Sequence, residues 1–171
     1  DYNLFFRFLE TYAKSGFRDI DENTPLMLEM DKFMDQNNQF FYVADVIQMK
    51  ILFTSKLSYE MIGIQPSDLG FHHFMEATHP EDIQRLNIGR TTIIKKAQDI
   101  FIEKGIPKLL STNFRIRNGK GKFSNFLIQG YLFYAEVPSK TVYFFKLHTK
   151  IDWCKKIRHG YHYYIGNDLS Y

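Results

Sequence analysis

Thr78-His79-Pro80-Glu81-Asp82 is the stretch from which the rest of the chain can be read. A hydroxyl, a proline and two acids stand where a helix needs a cap, a fixed φ and negative charge near its positive end. Behind them Ile83, Leu86, Ile93, Ile94, Ala97, Ile100 and Phe101 recur at helical spacing, to about Lys104, before Gly105 and Pro107. One long helix is therefore predicted, and the segments on either side of it follow a different period.

Three strands are predicted on its C-terminal side. Phe114 and Ile116 alternate with Asn113, Arg115 and Arg117, and Asn118-Gly119-Lys120-Gly121 reads as a hairpin turn. Lys122 to Tyr134 is apolar on both faces, as in a covered interior strand. In Thr141 to Ile151, Tyr143, Phe145, Leu147 and Ile151 share one face; Lys146, His148 and Lys150 share the other. On the N-terminal side, Phe40-Phe41-Tyr42-Val43 and Lys50-Ile51-Leu52-Phe53-Thr54 form a predicted hairpin. Ser58 is placed to cap a short helix from Tyr59 to Ile62, closed by Gly63. Two strands, short helices, one long helix and three antiparallel strands argue an α+β domain over residues 39–152. Its single five-stranded antiparallel sheet would carry helices on one face.

Residues 1–38 read as a helical extension. Leu4, Phe5, Phe8, Leu9 and Tyr12 recur at helical spacing, and Thr24-Pro25 opens a second helix carrying Leu26, Met30, Phe33 and Met34. These apolar faces either cover the sheet or meet a second copy of the chain. Leu4, Phe5, Phe8, Leu9 and Tyr12 are thus the candidate dimer interface. Residues 153–171 read as a linker.

The bulk composition sets limits on function. Of 171 residues, 44% are hydrophobic and 24% charged, which suits a globular domain, and 17% are aromatic, which suits a large core or an aromatic-lined pocket. The net charge of +3 divides into −4 over residues 1–40 and +7 over the rest. That excess is too spread out for a dedicated nucleic-acid arm. Cys154 is the single cysteine, so no internal disulfide is available. No signal pattern or membrane-length apolar run is present, and a reducing, cytoplasmic setting without a membrane partner is expected. The chain begins at Asp1 rather than Met, as a fragment or processed form would.

Motifs for phosphate loops and the nucleophile elbow are absent. His72, His73 and His79 lie within eight positions, and His159 and His162 are three apart, but adjacent imidazoles rarely meet one ion, and solvated or capping roles are expected. No metal site is assigned. Cys154 lies before Lys155 and Lys156, with nothing to tie it to a particular base.

At this level the sequence resembles the PAS family. Lys56-Leu57-Ser58-Tyr59-Glu60-Met61-Ile62-Gly63 is similar to the family's short helix, His79-Pro80-Glu81-Asp82 to the opening of its connecting helix, and Phe114-Arg115-Ile116-Arg117-Asn118-Gly119-Lys120-Gly121 to its β-hairpin. The order and spacing of the three carry the resemblance. Glu29-Met30-Asp31-Lys32-Phe33, Phe40-Phe41-Tyr42-Val43-Ala44-Asp45, Ser111-Thr112-Asn113-Phe114 and His162-Tyr163-Tyr164-Ile165-Gly166 further resemble regulators of Bacteroidetes bacteria. In those, a PAS domain precedes a LuxR-type helix-turn-helix.

The resemblance implies a non-enzymatic sensory domain of a transcriptional regulator, dimeric, acting on DNA only through an output domain outside this chain. The cofactor stays unknown. Flavin-binding members carry a cysteine just before the connecting helix and haem-binding members often a histidine on it; neither stands at those places here, which argues against both groups. A small-molecule ligand is the remaining candidate. Ile93, Ala97 and Ile100 on the long helix, with Phe114, Ile116, Tyr143 and Phe145 on the sheet, either enclose an apolar ligand cavity or form a packed core. Asn113, Gln129 and Tyr143 are the polar groups that would orient a ligand. Two alternatives remain: a ligand-free dimerisation scaffold, and an isomerase- or dehydratase-like enzyme on a cone-shaped α+β barrel, with Asp99 and His148 as its nearest acid and base.

Overall fold

A computed structural model describes residues 2–154 and 164–165. Helix α1 spans Tyr2–Tyr12 and α2 Pro25–Gln36; β1 (Gln39–Asp45) and β2 (Lys50–Thr54) follow, then α3 (Ser58–Ile62), α4 (Phe71–Ala77) and the long α5 (Ile83–Glu103). Strands β3 (Lys108–Arg117), β4 (Phe123–Ala135) and β5 (Thr141–Lys150) complete the expected α+β arrangement, and a two-residue β6 (Tyr164–Ile165) adds to it. The sheet order is β2-β1-β5-β4-β3-β6, and every neighbouring pair is antiparallel. The rest of the 153–171 segment expected as a linker lies largely outside the described residues.

Local chemistry explains most boundaries. Thr24 caps α2 by accepting from the Met27 amide, with Pro25 in the first turn. In the β1–β2 turn the Asp45 carboxylate accepts from the Gln48 amide and the Thr141 hydroxyl. In the β3–β4 turn the Asn118 side chain accepts from the amides of Lys120 and Lys122. Gly63 closes α3 at φ 78°, and a Cβ there would meet the Gly119 Cα at 2.4 Å. Only glycine lets α3 approach that hairpin so closely.

Two predicted caps are corrected. Ser58 is the first residue of α3 rather than its cap, and its hydroxyl has no hydrogen-bond partner. Thr78 does not cap α5. It bridges to Ile116, and His79 caps a single 3-10 turn, Pro80–Asp82, that precedes the helix. Asp82 is buried and turned toward β3: Arg115 donates to it through its backbone amide, Nε and Nη2 at 2.9–3.0 Å, and Arg85 stands 3.3 Å away. Burial would raise that carboxyl, but these bonds, with the charges of Arg115 and Arg85, hold it below the usual carboxylate range. The motif at 79–82 thus pins the start of α5 to the motif at 114–121.

Both faces of the sheet are covered. On one, α3, α4 and α5 pack over Phe40, Tyr42 and Ala44 of β1, Phe114 and Ile116 of β3, and Phe126 and Ile128 of β4. Ala97 and Ile100 continue this layer against Leu110, Leu132, Val142 and Phe144. On the other, α1 and α2 cover Phe41, Val43, Tyr143 and Phe145. Leu4 and Phe8 are fully buried there, and Phe5, Leu9 and Tyr12 pack beside them, with Phe8 5.0 Å from the Phe41 ring. The candidate dimer face is therefore spent within the chain, because β1 and β5 are as apolar on their outer face as on their inner one. The extension belongs to the domain's core.

Candidate functional site

The covered face is not filled evenly. Between α4, the first half of α5 and the sheet, a cavity of about 50 Å3 remains. Tyr42 from β1 and Phe144 and Lys146 from β5 form its floor; Phe71 and Phe74 of α4 and Leu86, Arg90, Ile93 and Ile94 of α5 form its roof, and Val46 and Met49 of the β1–β2 turn close one end. That volume exceeds the 10–15 Å3 or so that one water needs, and is far below the several hundred Å3 typical of drug-sized ligands.

The register of β5 sets the site's chemistry. Lys146 lies opposite Tyr42, and His148 opposite Phe40, across the β1–β5 pair. Both side chains point toward the helices and are buried, Lys146 at 8% exposure and His148 at 0%. The Lys146 ammonium stands 5.7 Å from the ring centroids of Tyr42, Phe74 and Phe144, so aromatic faces replace the carboxylate it lacks. Burial, then the positive charge of Arg90, push this lysine down to about 8. Burial pushes the Tyr42 phenol well above its usual range, against a smaller downward pull from Arg90.

His148 sits behind the cavity rather than in its lining. Its ring stacks on Phe40 at 4.3 Å, nearly parallel, and on Phe74 at 5.3 Å. Neither ring nitrogen completes a hydrogen bond among the described residues. Burial, then the Lys146 charge, hold its pKa well below the ordinary histidine value, against a weak upward pull from the Lys146 backbone. It is a neutral aromatic surface that supports Phe74.

The residues singled out from sequence divide sharply. Ile93 lines the cavity; Ala97 and Ile100 face the sheet one and two turns further on, where the core is packed. Phe114 and Ile116 face the helices but sit in the core beside α3 and α4. Tyr143 and Phe145 are corrected: they lie on the opposite face, against α1 and α2. Gln129 pairs with Leu147, on that same far side. Asn113 sits at the β3 edge, where its side-chain oxygen accepts a 3.4 Å bond from Arg85. None of these three polar groups reaches the cavity.

Tyr42, Phe74, Arg90, Phe144 and Lys146 were missed. One signal was available: Leu86, Arg90, Ile93, Ala97 and Ile100 fall at helical spacing, which places Arg90 on the stripe of α5 that faces the sheet.

The acid and base of the enzymatic alternative are apart. Asp99 flanks a surface groove at the C-terminal end of α5, with Lys96, Glu103 and Lys108, whereas His148 is enclosed by Phe40, Phe74 and Phe126. The histidines at 73 and 79 act as local caps, accepting from the amides of Gly70 and Glu81. Among the described residues no group of three metal-ligating side chains stands together. His159 and His162 lie outside the described residues. Cys154 is free and exposed, after the end of β5. No helix among the described residues is long and apolar enough to cross a membrane.

No family model matches the chain, and no curated protein matches it. Solved PAS domains resemble its structure. The N-terminal domain of a Marinobacter aquaeolei diguanylate cyclase with a PAS/PAC sensor is 11% identical, with a TM-score of 0.48, over 67% of this chain and 96% of that one. A PAS domain from Colwellia psychrerythraea is 13% identical, with a TM-score of 0.48, over 75% of this chain and 98% of that one. The PAS-B domain of Cycle from Drosophila melanogaster is 19% identical, with a TM-score of 0.45, over 65% of this chain and 98% of that one.

Proposed function

We propose that the chain is a PAS-type sensory domain whose signal is a small molecule seated between α4, α5 and the sheet. One observation carries this reading: a cavity in the core, lined by eight apolar side chains, by Tyr42 and Arg90, and by a lysine whose burial costs stability. A fold optimised only for packing gains nothing from a charge at that place. Strand β5 links the site to the rest of the domain, since Phe144 and Lys146 line the cavity while Tyr143 and Phe145 face the N-terminal helices. A ligand that prefers one position of β5 shifts the population toward it, by as much as its affinity differs between the two.

The output we propose is transcriptional, through a LuxR-type DNA-binding domain of the same protein, and the support for it is the sequence resemblance alone. A homodimer belongs to the same proposal, formed by a surface other than the buried faces of α1 and α2.

A native mass spectrum of the freshly purified chain tests the sensory reading. A co-purifying molecule well below drug size is expected. A bare polypeptide mass, joined to an unchanged melting temperature across a panel of small organic acids, amides and alcohols, contradicts it.

A further inference from the structure

We propose that the ligand is a compact monocarboxylate with an apolar body, its carboxylate held between Lys146 and Arg90 and its body among Phe71, Phe74, Phe144 and Ile93. This names the ligand class of the sensory site proposed above and rests on that reading.

Charge balance at the cavity points to an anion. Two cations, Lys146 and Arg90, line it, one from β5 and one from α5. Neither forms an ion pair among the described residues, although ten such contacts occur elsewhere in the domain. The elements around the cavity contribute Tyr42, Val46, Met49, Phe71, Phe74, Leu86, the two isoleucines of α5 and Phe144 to the lining; none is acidic. Two like charges facing one apolar space repel each other, and a buried ion without a counter-charge is costly. A carboxylate entering between them removes both penalties and accepts hydrogen bonds from each. The Arg90 guanidinium and the Lys146 ammonium are both donors, so a neutral or cationic head group would gain less.

Size and surface restrict the remainder of the molecule. With about 50 Å3 of room, well under the roughly 150 Å3 that holds benzene, a short aliphatic chain of a few carbons fits and an aromatic ring does not, still less a nucleotide or a sugar. Both would also demand polar partners that the lining lacks.

Calorimetric titration of the 171-residue chain with propionate, butyrate, propionamide and butyramide tests the class. The carboxylates should bind, and the amides at least about tenfold more weakly. Lys146→Met and Arg90→Gln should each weaken the carboxylates by about tenfold or more while leaving the amides unchanged. Lys146→Met is expected to melt higher than the unmodified chain, so its loss of binding is separable from unfolding. If the amides bind as tightly as the carboxylates, or if both variants keep carboxylate affinity, the anionic class is overturned while the cavity remains a ligand site. If none of the four binds, the class is overturned; a bare native mass spectrum joined to an unchanged melting temperature across the wider panel would then remove the sensory reading with it.

Discussion

Lys146 and Tyr42 face each other across the β1–β5 pair, with the ammonium 5.7 Å from the phenol ring and no carboxylate among the lining residues. A lysine held at about 8 instead of 10.5 lowers stability by roughly 3 kcal/mol at neutral pH. Lys146→Met should therefore raise the free energy of unfolding by about 2–3 kcal/mol at pH 7, read by chemical denaturation. The pH dependence follows from the depressed value. Between about 8 and 10.5 the unfolded chain holds the lysine proton more often than the folded one, so stability rises with pH in that window. Below it the penalty is complete, and above it the penalty is gone. The methionine variant should lack this rise.

His148 gives the opposite end of the profile. Its folded pKa lies well below 6.5, so acid protonates the unfolded chain first. Stability should fall as the pH drops below about 6.5, with a slope of up to about 1.4 kcal/mol per pH unit from this one group. His148→Phe keeps the stack on Phe40 and Phe74 and removes the titration. Denaturation curves at pH 7.5 and 5.5 should differ by about 1 kcal/mol less in the variant than in the unmodified chain.

Arg115 and Asp82 form the strongest polar link between α5 and the sheet. Arg115→Met leaves a buried carboxylate with only Arg85 nearby and should cost about 3 kcal/mol. Arg115→Met with Asp82→Leu should cost less than the single change, because no uncompensated charge is left. Melting temperatures of the three proteins decide this.

Gly130 faces Lys146 across β4 and β5, and a Cβ there would come within 2.1 Å of the Phe144 ring. Gly130→Ala must displace that ring into the cavity, at a cost of about 1–3 kcal/mol. Probe binding should fall even though no ligand contact is deleted, and calorimetry on the variant reads both effects.

Phe8 is fully buried against Phe17, Phe41 and Phe53. Phe8→Ala should destabilise the whole domain by about 3–5 kcal/mol in a single transition. A separate early transition, with the rest of the chain unaffected, would show that the extension is not part of the core.

The fold was legible because its punctuation is chemical: Pro80 before the long helix, glycines at the hairpin turn, Thr24-Pro25 before α2. Alternation in β3 was legible as well, and Phe114 and Ile116 fell on the helix side as read. The faces of β5 were not. Tyr143 and Phe145 were read as the cavity face and Lys146 and His148 as the face opposite, but both sides of this strand are covered, one by α1 and α2 and the other by α4 and α5. When both faces are buried, polarity stops reporting direction, and a slip of one residue exchanged Tyr143 and Phe145 for Phe144 and Lys146. The cavity was likewise hidden: its lining comes from β1, the β1–β2 turn, α4, α5 and β5, and no residue spacing shows that these meet around a void.

Methyl-detected NMR of the chain titrated with butyrate tests the central claim most directly, since Val46, Leu86, Ile93 and Ile94 carry methyl groups around the cavity while Val43, Leu4 and Leu147 carry them on the far face. The account predicts saturable shifts concentrated on the first set, and their loss in Lys146→Met. Shifts confined to the far face or scattered over the surface, or none at millimolar butyrate, would contradict it.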